Sequence, residues 1–349
     1  MIKDITIDDH TIGENKPVFI IAEAGSNHDG KLEQAFKLID VAKRSGADAV
    51  KFQTFMADKI VAKTRNRASY LDKLVSKDQS MHDIFKKLEM PREWLPELMA
   101  YCKQNDIMFL STPFDEEAVE QLEKIDIAAY KIASFELVHI PLLKEVAKTG
   151  KPIILSTGMA DLGDIEEALE TIYKEDNEKV MLMHCGINYP ANFEDVHLRA
   201  MLTMRQAFQL PVGYSDHTSG ITVPIAATAL GSCSIEKHFT LDRTLPGPDH
   251  PFALEPDELA AMVKGIRECE KALGQPIKTT AESEKEMYTL GRRSIFAKTD
   301  IPKGTIITED MLAVLRPGLG LMPKYLPIVI GRTAQKDIHA DEPITWDKI

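Results

Sequence analysis

Short apolar runs that end in a polar residue recur along the chain, and most lead into a stretch with helical spacing. The runs are Val18–Glu23, Ala49–Gln53, Met108–Thr112, Tyr130–Ser134, Ile153–Thr157, Val180–His184, Val212–Asp216 and Ser234–His238. Runs this continuous predict strands buried on both faces, as in a parallel sheet. Between them, Lys31–Arg44 carries Leu32, Phe36, Leu38, Ile39 and Ala42 toward one face, and Gly46 stops it. Asp115–Leu122 and Asp164–Tyr173 open with acids, which suit the positive end of a helix dipole. Strand starts fall about one β-α unit apart, except for the 59 residues from Ala49 to Met108. That excess holds a polar stretch, Ala57–Ser80, read as a lid or flap, and helices near Met81–Leu88 and Trp94–Gln104. Eight alternating units predict an α/β fold, a (β/α)8 TIM barrel with its site at the C-terminal strand ends.

The barrel pattern closes with a helix over Pro256–Leu273. The expected organisation is a catalytic barrel over residues 1–275, a polar linker over 276–290 and a small domain over 291–349. That tail carries an internal echo, Asp300–Thr308 against Asp337–Thr345, each followed two positions on by an acid, Asp310 and Asp347. Two copies of one loop-and-strand unit predict a pseudo-symmetric β-rich domain. Its core is marginal alone, so it should dock on a barrel, its own or a partner's.

Charge narrows the function. The 349 residues include 54 acidic and 42 basic side chains, a net charge of −12, which argues against nucleic-acid binding. Apolar stretches such as Ile221–Leu230 are too short to span a membrane. Acids at the N-terminus and four scattered cysteines, with no CxxC pair, point to a cytoplasmic protein without a disulfide framework or zinc ribbon.

A barrel would bring the strand-end polar residues to one mouth. His217 and His238 end adjacent strands and either share a divalent cation, with open positions suited to catalysis, or are ordinary loop histidines. His184 reads as a core histidine. Lys51 and Lys131, flanked by apolar residues, read as cations for a phosphate or carboxylate, as a Schiff-base nucleophile, or as rim lysines that snorkel. Thr112, Ser134, Ser156 and Ser215 would donate to the same anion, or cap helices. Glu23, Glu136 and Asp249 are acid/base candidates, Asp249 standing on the stiff turn Pro246-Gly247-Pro248. His250 beside it reads equally well as an exposed loop residue.

At these motifs the chain resembles the sialic acid synthase (N-acetylneuraminate synthase) family over nearly its whole length. The resemblance rests on Ala22–Gly30, Lys51-Phe52-Gln53-Thr54, Ser111-Thr112-Pro113-Phe114, Tyr130–Ser134, Leu155–Met159, Ser215-Asp216-His217-Thr218, Glu236–Phe239 and Pro246–Asp249. The tail resembles the family's antifreeze-like (SAF, β-clip) domain, Arg316-Pro317-Gly318 included. The resemblance implies a metal-dependent transferase that condenses phosphoenolpyruvate with an N-acylated amino sugar, giving a nine-carbon 2-keto acid and phosphate by C–O cleavage. It implies Mn2+ or Mg2+ on His217 and His238, and acid/base or charge-stabilising roles for Glu23, Glu136 and Asp249. Lys51, Thr112, Lys131, Ser134, Ser156 and Ser215 match phosphoenolpyruvate contacts, and Gln53 and Tyr189 match sugar contacts. It further implies a domain-swapped homodimer in which Arg316 reaches the sugar's acyl group in the partner's barrel. The chain departs from the sialate subgroup at Phe52, Phe135 and Cys185-Gly186-Ile187-Asn188. The sugar expected is N-acetylmannosamine or a 2,4-diacetamido-6-deoxyhexose, as for an N-acetylneuraminate or legionaminate synthase. A pseudaminate or spore-coat-type relative, a Schiff-base sugar-acid aldolase using Lys131, and a silent sugar-binding protein are the competing readings.

Overall fold

The computed structural model describes residues 2–64 and 80–349, and the chain divides into two compact units, Met1–Gly274 and Gln275–Ile349. The first unit opens with a hairpin of β1 (Ile5–Ile7) and β2 (His10–Ile12). Eight parallel strands then close into a barrel: β3 (Phe19–Gly25), β4 (Ala49–Thr54), β5 (Met108–Pro113), β6 (Tyr130–Ile132), β7 (Ile153–Ser156), β8 (Val180–Cys185), β9 (Val212–Asp216) and β10 (Ser234–His238). β10 pairs back onto β3, with His238 beside Glu23 and Glu236 beside Ile21. The expected barrel is thus the observed one.

Alternation along the strands sorts side chains into two layers. Ile20, Val50, Phe109, Ile153, Leu182 and Ile235 pack outward with helix residues such as Leu38, Leu122 and Met262. Phe19, Ile21, Ala49, Leu110, Ala129, Ile154, Met181 and Met183 form a separate inner cluster with Ile5, Ile7 and Ile12 of the hairpin. The hairpin therefore packs with the apolar half of the barrel interior, each buried isoleucine contributing about 2 kcal/mol. Two residues further along each strand the inward position turns polar: Glu23 after Ile21, Lys51 after Ala49, Thr112 after Leu110, Lys131 after Ala129, Ser156 after Ile154. One end of the interior is hydrocarbon and the other is chemistry.

The helices follow their sequence signals. α1 (Leu32–Arg44) buries Ala35, Leu38, Ile39, Val41 and Ala42, and Gly46 behind it takes φ +82°. The capping Asp115 accepts from Ala118 N–H at 2.9 Å at the start of a helix over Glu116–Lys124. Asp164 is the third residue of a capping box opened by Asp161, so that helix starts at Leu162 rather than at Asp164. The helix over Pro256–Leu273 has the bounds its sequence predicts. Most of the expected lid, Ala57–Ser80, lies outside the described residues.

The second unit starts with an exposed stretch that includes a short helix, Lys285–Leu290, within the segment expected as linker. β11 (Ser294–Ala297) and β12 (Leu312–Leu315) pair antiparallel, and isolated bridges supply the remaining β character among the described residues. The echo is a structural symmetry. Ile301 and Ile338, equivalent in the two copies, exchange N–H···O bonds of 2.8 and 3.0 Å. Asp300 accepts from Ala340 N–H and Asp337 from Lys303 N–H, at 2.8 and 2.7 Å, the same bond made twice. Ile301, Ile307, Ile338 and Ile344 share the small core.

Candidate active site

The inward polar positions of β3, β4, β6 and β10 form one buried ion-pair cluster. Lys51 Nζ lies 2.8 Å from Glu23 Oε2 and 3.6 Å from Glu236 Oε1, and Lys131 Nζ lies 3.3 Å from Glu236. All four side chains are 5% exposed or less. Thr112 accepts from Lys51 at 3.3 Å, Ser215 donates to Glu236 at 3.2 Å, and Gln53 donates to Glu23 Oε1 at 2.9 Å. Ser156, at the end of β7, has a buried Oγ with no protein hydrogen-bond partner among the described residues.

Each partner pulls on the others' protonation. Burial opposes the Lys51 charge, but Glu23 and Glu236 outweigh it and hold its pKa above the usual lysine value. Burial lowers the pKa of Lys131, with Glu236 opposing that shift. Burial raises Glu23 despite Lys51, while Glu236 ends lower than usual because Lys131, Lys51 and His217 together overcome its own burial. With both carboxylates ionised, two ammoniums face two carboxylates and the cluster carries no net charge. The lysines expected to make the pocket cationic are already countered. Glu236, which sequence reasoning passed over, bridges them. Its signal was available: period-two alternation from His238 points Glu236 inward and Lys237 outward.

The two histidines stand next to this cluster. Their ring centroids are 5.4 Å apart, and Tyr189 lies 4.3 Å from the His217 ring and 5.8 Å from the His238 ring. His217 Nδ1 sits 2.6 Å from the Gly186 carbonyl, so that nitrogen carries the hydrogen and Nε2 keeps its lone pair. His238 Nδ1 is buried without a hydrogen-bond partner, 3.8 Å from Asp249 Oδ2. Burial lowers the His217 pKa to about 4 and puts His238 well below its ordinary value, so both rings are neutral, as metal ligands must be. Asp249 rises to about 7, through burial and then the nearby Glu23 charge. Gly25, at φ +52°, leaves the space where these groups converge: a Cβ there would stand 3.4 Å from both Asp249 Oδ2 and Glu23 Oε1 and 3.5 Å from His238. Among the described residues no group of three or more His, Cys, Asp or Glu side chains is arranged around a metal position. The pair of imidazoles fits a cation that completes its shell with water or substrate oxygen.

The remaining expected residues fall into three places. Ser134 Oγ accepts from Gly158 N–H at 2.9 Å and contacts Cys185 Sγ at 3.0 Å, next to the strand ends. Glu136 sits on a short 3-10 turn (Ser134–Glu136) and pairs with His139 at 3.0 Å, its pKa raised chiefly by burial. Among the described residues, no hydrogen bond or ion pair joins it to the Glu23 cluster. Arg316 belongs to the second unit, exposed just after β12. His184, expected as a core histidine, is half-buried and held by the Val196 carbonyl at 2.9 Å. His250, in contrast, is no exposed loop residue. It is fully buried, with Nε2 3.0 Å from Asp29 and Nδ1 2.6 Å from Thr240, and so ties the loop after β3 to the turn that carries Asp249.

Comparison with known proteins gives this constellation its kin. The NeuB family model matches residues 38–278 and the SAF domain model residues 292–349. The N,N'-diacetyllegionaminic acid synthase of Campylobacter jejuni is 45% identical over 331 residues, covering 94% of this chain and 99% of its own. The spore coat polysaccharide biosynthesis protein SpsE of Bacillus subtilis is 44% identical, over 98% of this chain and 96% of its own. The structure of an N-acetylneuraminic acid synthetase from Leptospira borgpetersenii, in complex with citrate, superposes with a TM-score of 0.74 at 36% identity, over 82% of this chain and 95% of that one. A closed barrel with these strand-end motifs, followed by a SAF domain and matched along nearly its full length, means that the chain belongs to the NeuB family, whose members include the legionaminic and sialic acid synthases.

Proposed function

We propose that this protein condenses phosphoenolpyruvate with an N-acylated amino sugar to give a nine-carbon 2-keto acid and phosphate. The observation that carries the proposal is the buried Lys51–Lys131 pair, with the unpartnered Ser156 hydroxyl at the end of β7, at the same barrel end as two neutral imidazoles. Lys51, Lys131, Thr112, Ser134, Ser156 and Ser215 receive the phosphate and carboxylate of phosphoenolpyruvate. Both lysines are paired to carboxylates, which supports an electrostatic role. Because burial lowers the Lys131 pKa, borohydride trapping with pyruvate is the experiment that separates this role from a Schiff base, and a covalent adduct would favour the latter.

His217 and His238 would hold the divalent metal, and two nitrogen donors favour Mn2+ over Mg2+. When bound, the metal supplies Lewis-acid activation of the open-chain sugar's aldehyde. Carbon 3 of phosphoenolpyruvate then bonds to the aldehyde carbon, whose oxygen takes a proton. Water adds at carbon 2, and phosphate departs with the bridging oxygen. Glu23 and Asp249 flank Gly25 at the junction of the two subsites and hold the protons these steps exchange; Glu23 also faces the developing positive charge at carbon 2. Glu136 serves from the sugar side. Gln53 holds Glu23 in place and Tyr189 packs against both imidazoles, so each reaches the sugar from the metal side.

The resemblance to legionaminic and N-acetylneuraminic acid synthases supports N-acetylmannosamine or a 2,4-diacetamido-6-deoxyhexose as acceptor. Phe135, 52% exposed next to Ser134, adds an apolar surface of the kind a deoxy sugar accepts. A domain-swapped homodimer would complete the site with the partner's SAF domain, Arg316 binding the acyl group. The four free cysteines suit a reducing compartment, in keeping with a cytoplasmic enzyme. The test is phosphate release from phosphoenolpyruvate plus each sugar, before chelation, after it and after Mn2+ is added back. Activity lost and restored supports the reading; full activity in metal-free protein, or none with any acceptor, refutes it.

A further inference from the structure

His217 and His238 are each flanked in sequence by residues that face away from the barrel interior. Asp216 and Lys237 are register partners on β9 and β10, with the same strand parity as the outward-packed Tyr214 and Ile235. On the other side of β10, the register partner of Lys237 is Ala22 of β3, an ordinary apolar member of the outer layer. Here instead an ion pair joins Lys237 and Asp216, with side chains 1% and 0% exposed.

The pair is extended by one more residue. Asp216 accepts from the Thr218 N–H at 3.1 Å and from its hydroxyl at 3.0 Å, while the Lys237 ammonium donates to the Thr218 carbonyl as well. The residues on both sides of His217 are thus bound to the residue that precedes His238. A buried ion pair is seldom worth more to stability than apolar side chains of the same volume, so its place here calls for a reason other than stability. What this one fixes is the position of one imidazole relative to the other.

We propose that Asp216, Thr218 and Lys237 form a positioning clamp that sets the spacing of the His217 and His238 rings and, through it, the site's affinity for a divalent cation. This deepens the metal-dependent reading above and rests on it. Asp216 and Lys237 face the outer layer rather than the barrel interior, so the clamp acts through the backbone from which both imidazoles project. Groups acting one step behind metal ligands commonly change metal affinity 10- to 100-fold.

The experiment is an Mn2+ titration of the full chain, in which electron paramagnetic resonance measures the free ion. The double variant Asp216→Leu/Lys237→Met replaces the clamp with apolar side chains of similar size. It should melt lower, because the Thr218 N–H, hydroxyl and carbonyl lose their partners, yet remain folded at 25 °C and keep its thermal shift with phosphoenolpyruvate in metal-free buffer, while its Kd for Mn2+ rises about 10-fold. Thr218→Val, which removes only the hydroxyl, should weaken Mn2+ by about 3-fold, and Thr218→Ser should restore it. It decides the matter if the double variant does not fold. Parent-like Mn2+ affinity in a folded double variant, or in Thr218→Val, overturns the clamp while leaving the metal reading intact. Absence of Mn2+ binding by the unmodified protein overturns the metal reading, and the clamp with it.

Discussion

Glu236 bridges both lysines, and replacing it with glutamine removes one charge while keeping the side chain's shape. In the unmodified protein its carboxylate stands 3.6 Å from Lys51 and 3.3 Å from Lys131. At an effective dielectric of about 20 each contact is worth about 5 kcal/mol of attraction, much of it offset by the cost of burying the charges. After Glu236→Gln, Lys51 still has Glu23 at 2.8 Å, but Lys131 is left buried without a carboxylate partner. Leaving one buried charge unpaired costs about 3–5 kcal/mol. At about 2 °C per kcal/mol for a unit of this size, the barrel transition should fall by roughly 6–10 °C. The same change gives the cluster a net charge of about +1, so an added anion has more to gain from it. Scanning calorimetry with and without phosphate or phosphoenolpyruvate reads both effects. The variant should melt lower and recover more on adding the anion than the unmodified protein gains. An unchanged melting temperature with an unchanged anion response would refute the claim that Glu236 neutralises the lysines.

Other consequences are narrower. Ser156→Ala should raise the KM for phosphoenolpyruvate about 5–10-fold with little loss of kcat, matching one hydrogen bond of about 1 kcal/mol. Its melting temperature should hold or rise, because the hydroxyl has no protein partner to lose; a lower melting temperature with unchanged KM would count against the anion role. Arg316→Ala should raise the sugar's KM and spare phosphoenolpyruvate, and steady-state kinetics showing equal damage to both would exclude a sugar-side role. His28, 1% exposed, has its pKa lowered to about 4, chiefly by burial, against an ordinary value of 6.5. A depressed histidine pKa means stability that is complete above about pH 6.5 and lost as pH falls toward 4, here on the order of 3 kcal/mol. The His28 ring should therefore titrate near pH 4 by NMR, and His28→Gln should flatten the pH dependence of denaturant midpoints across that window; a ring titrating near 6.5 would disprove the burial argument.

Much of this was legible in the sequence, for reasons that can be named. Buried parallel strands need unbroken apolar runs, so all eight were marked, and polar residues ending those runs could only gather at one barrel mouth. Helix Pro256–Leu273 was bounded by a proline it tolerates at its first turn and a glycine that ends it. The hairpin Ile5–Ile12 escaped because strands of three residues carry almost no periodic signal. His250 was misjudged because its partner Asp29 lies 221 residues away, a contact no local pattern encodes. Glu236 was passed over inside a run of three titratable residues, where only the inward parity of His238 distinguishes it from Lys237. With Glu236 overlooked, the two lysines read as uncompensated cations, and the balance of charge in the cluster was not foreseen.

The central step of the proposed reaction is carbon–oxygen cleavage of phosphoenolpyruvate driven by a sugar acceptor. The direct measurement uses phosphoenolpyruvate labelled with 18O at the bridging oxygen, incubated with Mn2+-loaded protein and either N-acetylmannosamine or the 2,4-diacetamido-6-deoxyhexose. Mass spectrometry should find the label in the released phosphate and a nine-carbon 2-keto acid without it. Label retained in the keto acid, or no phosphate released with any acceptor, would contradict the account.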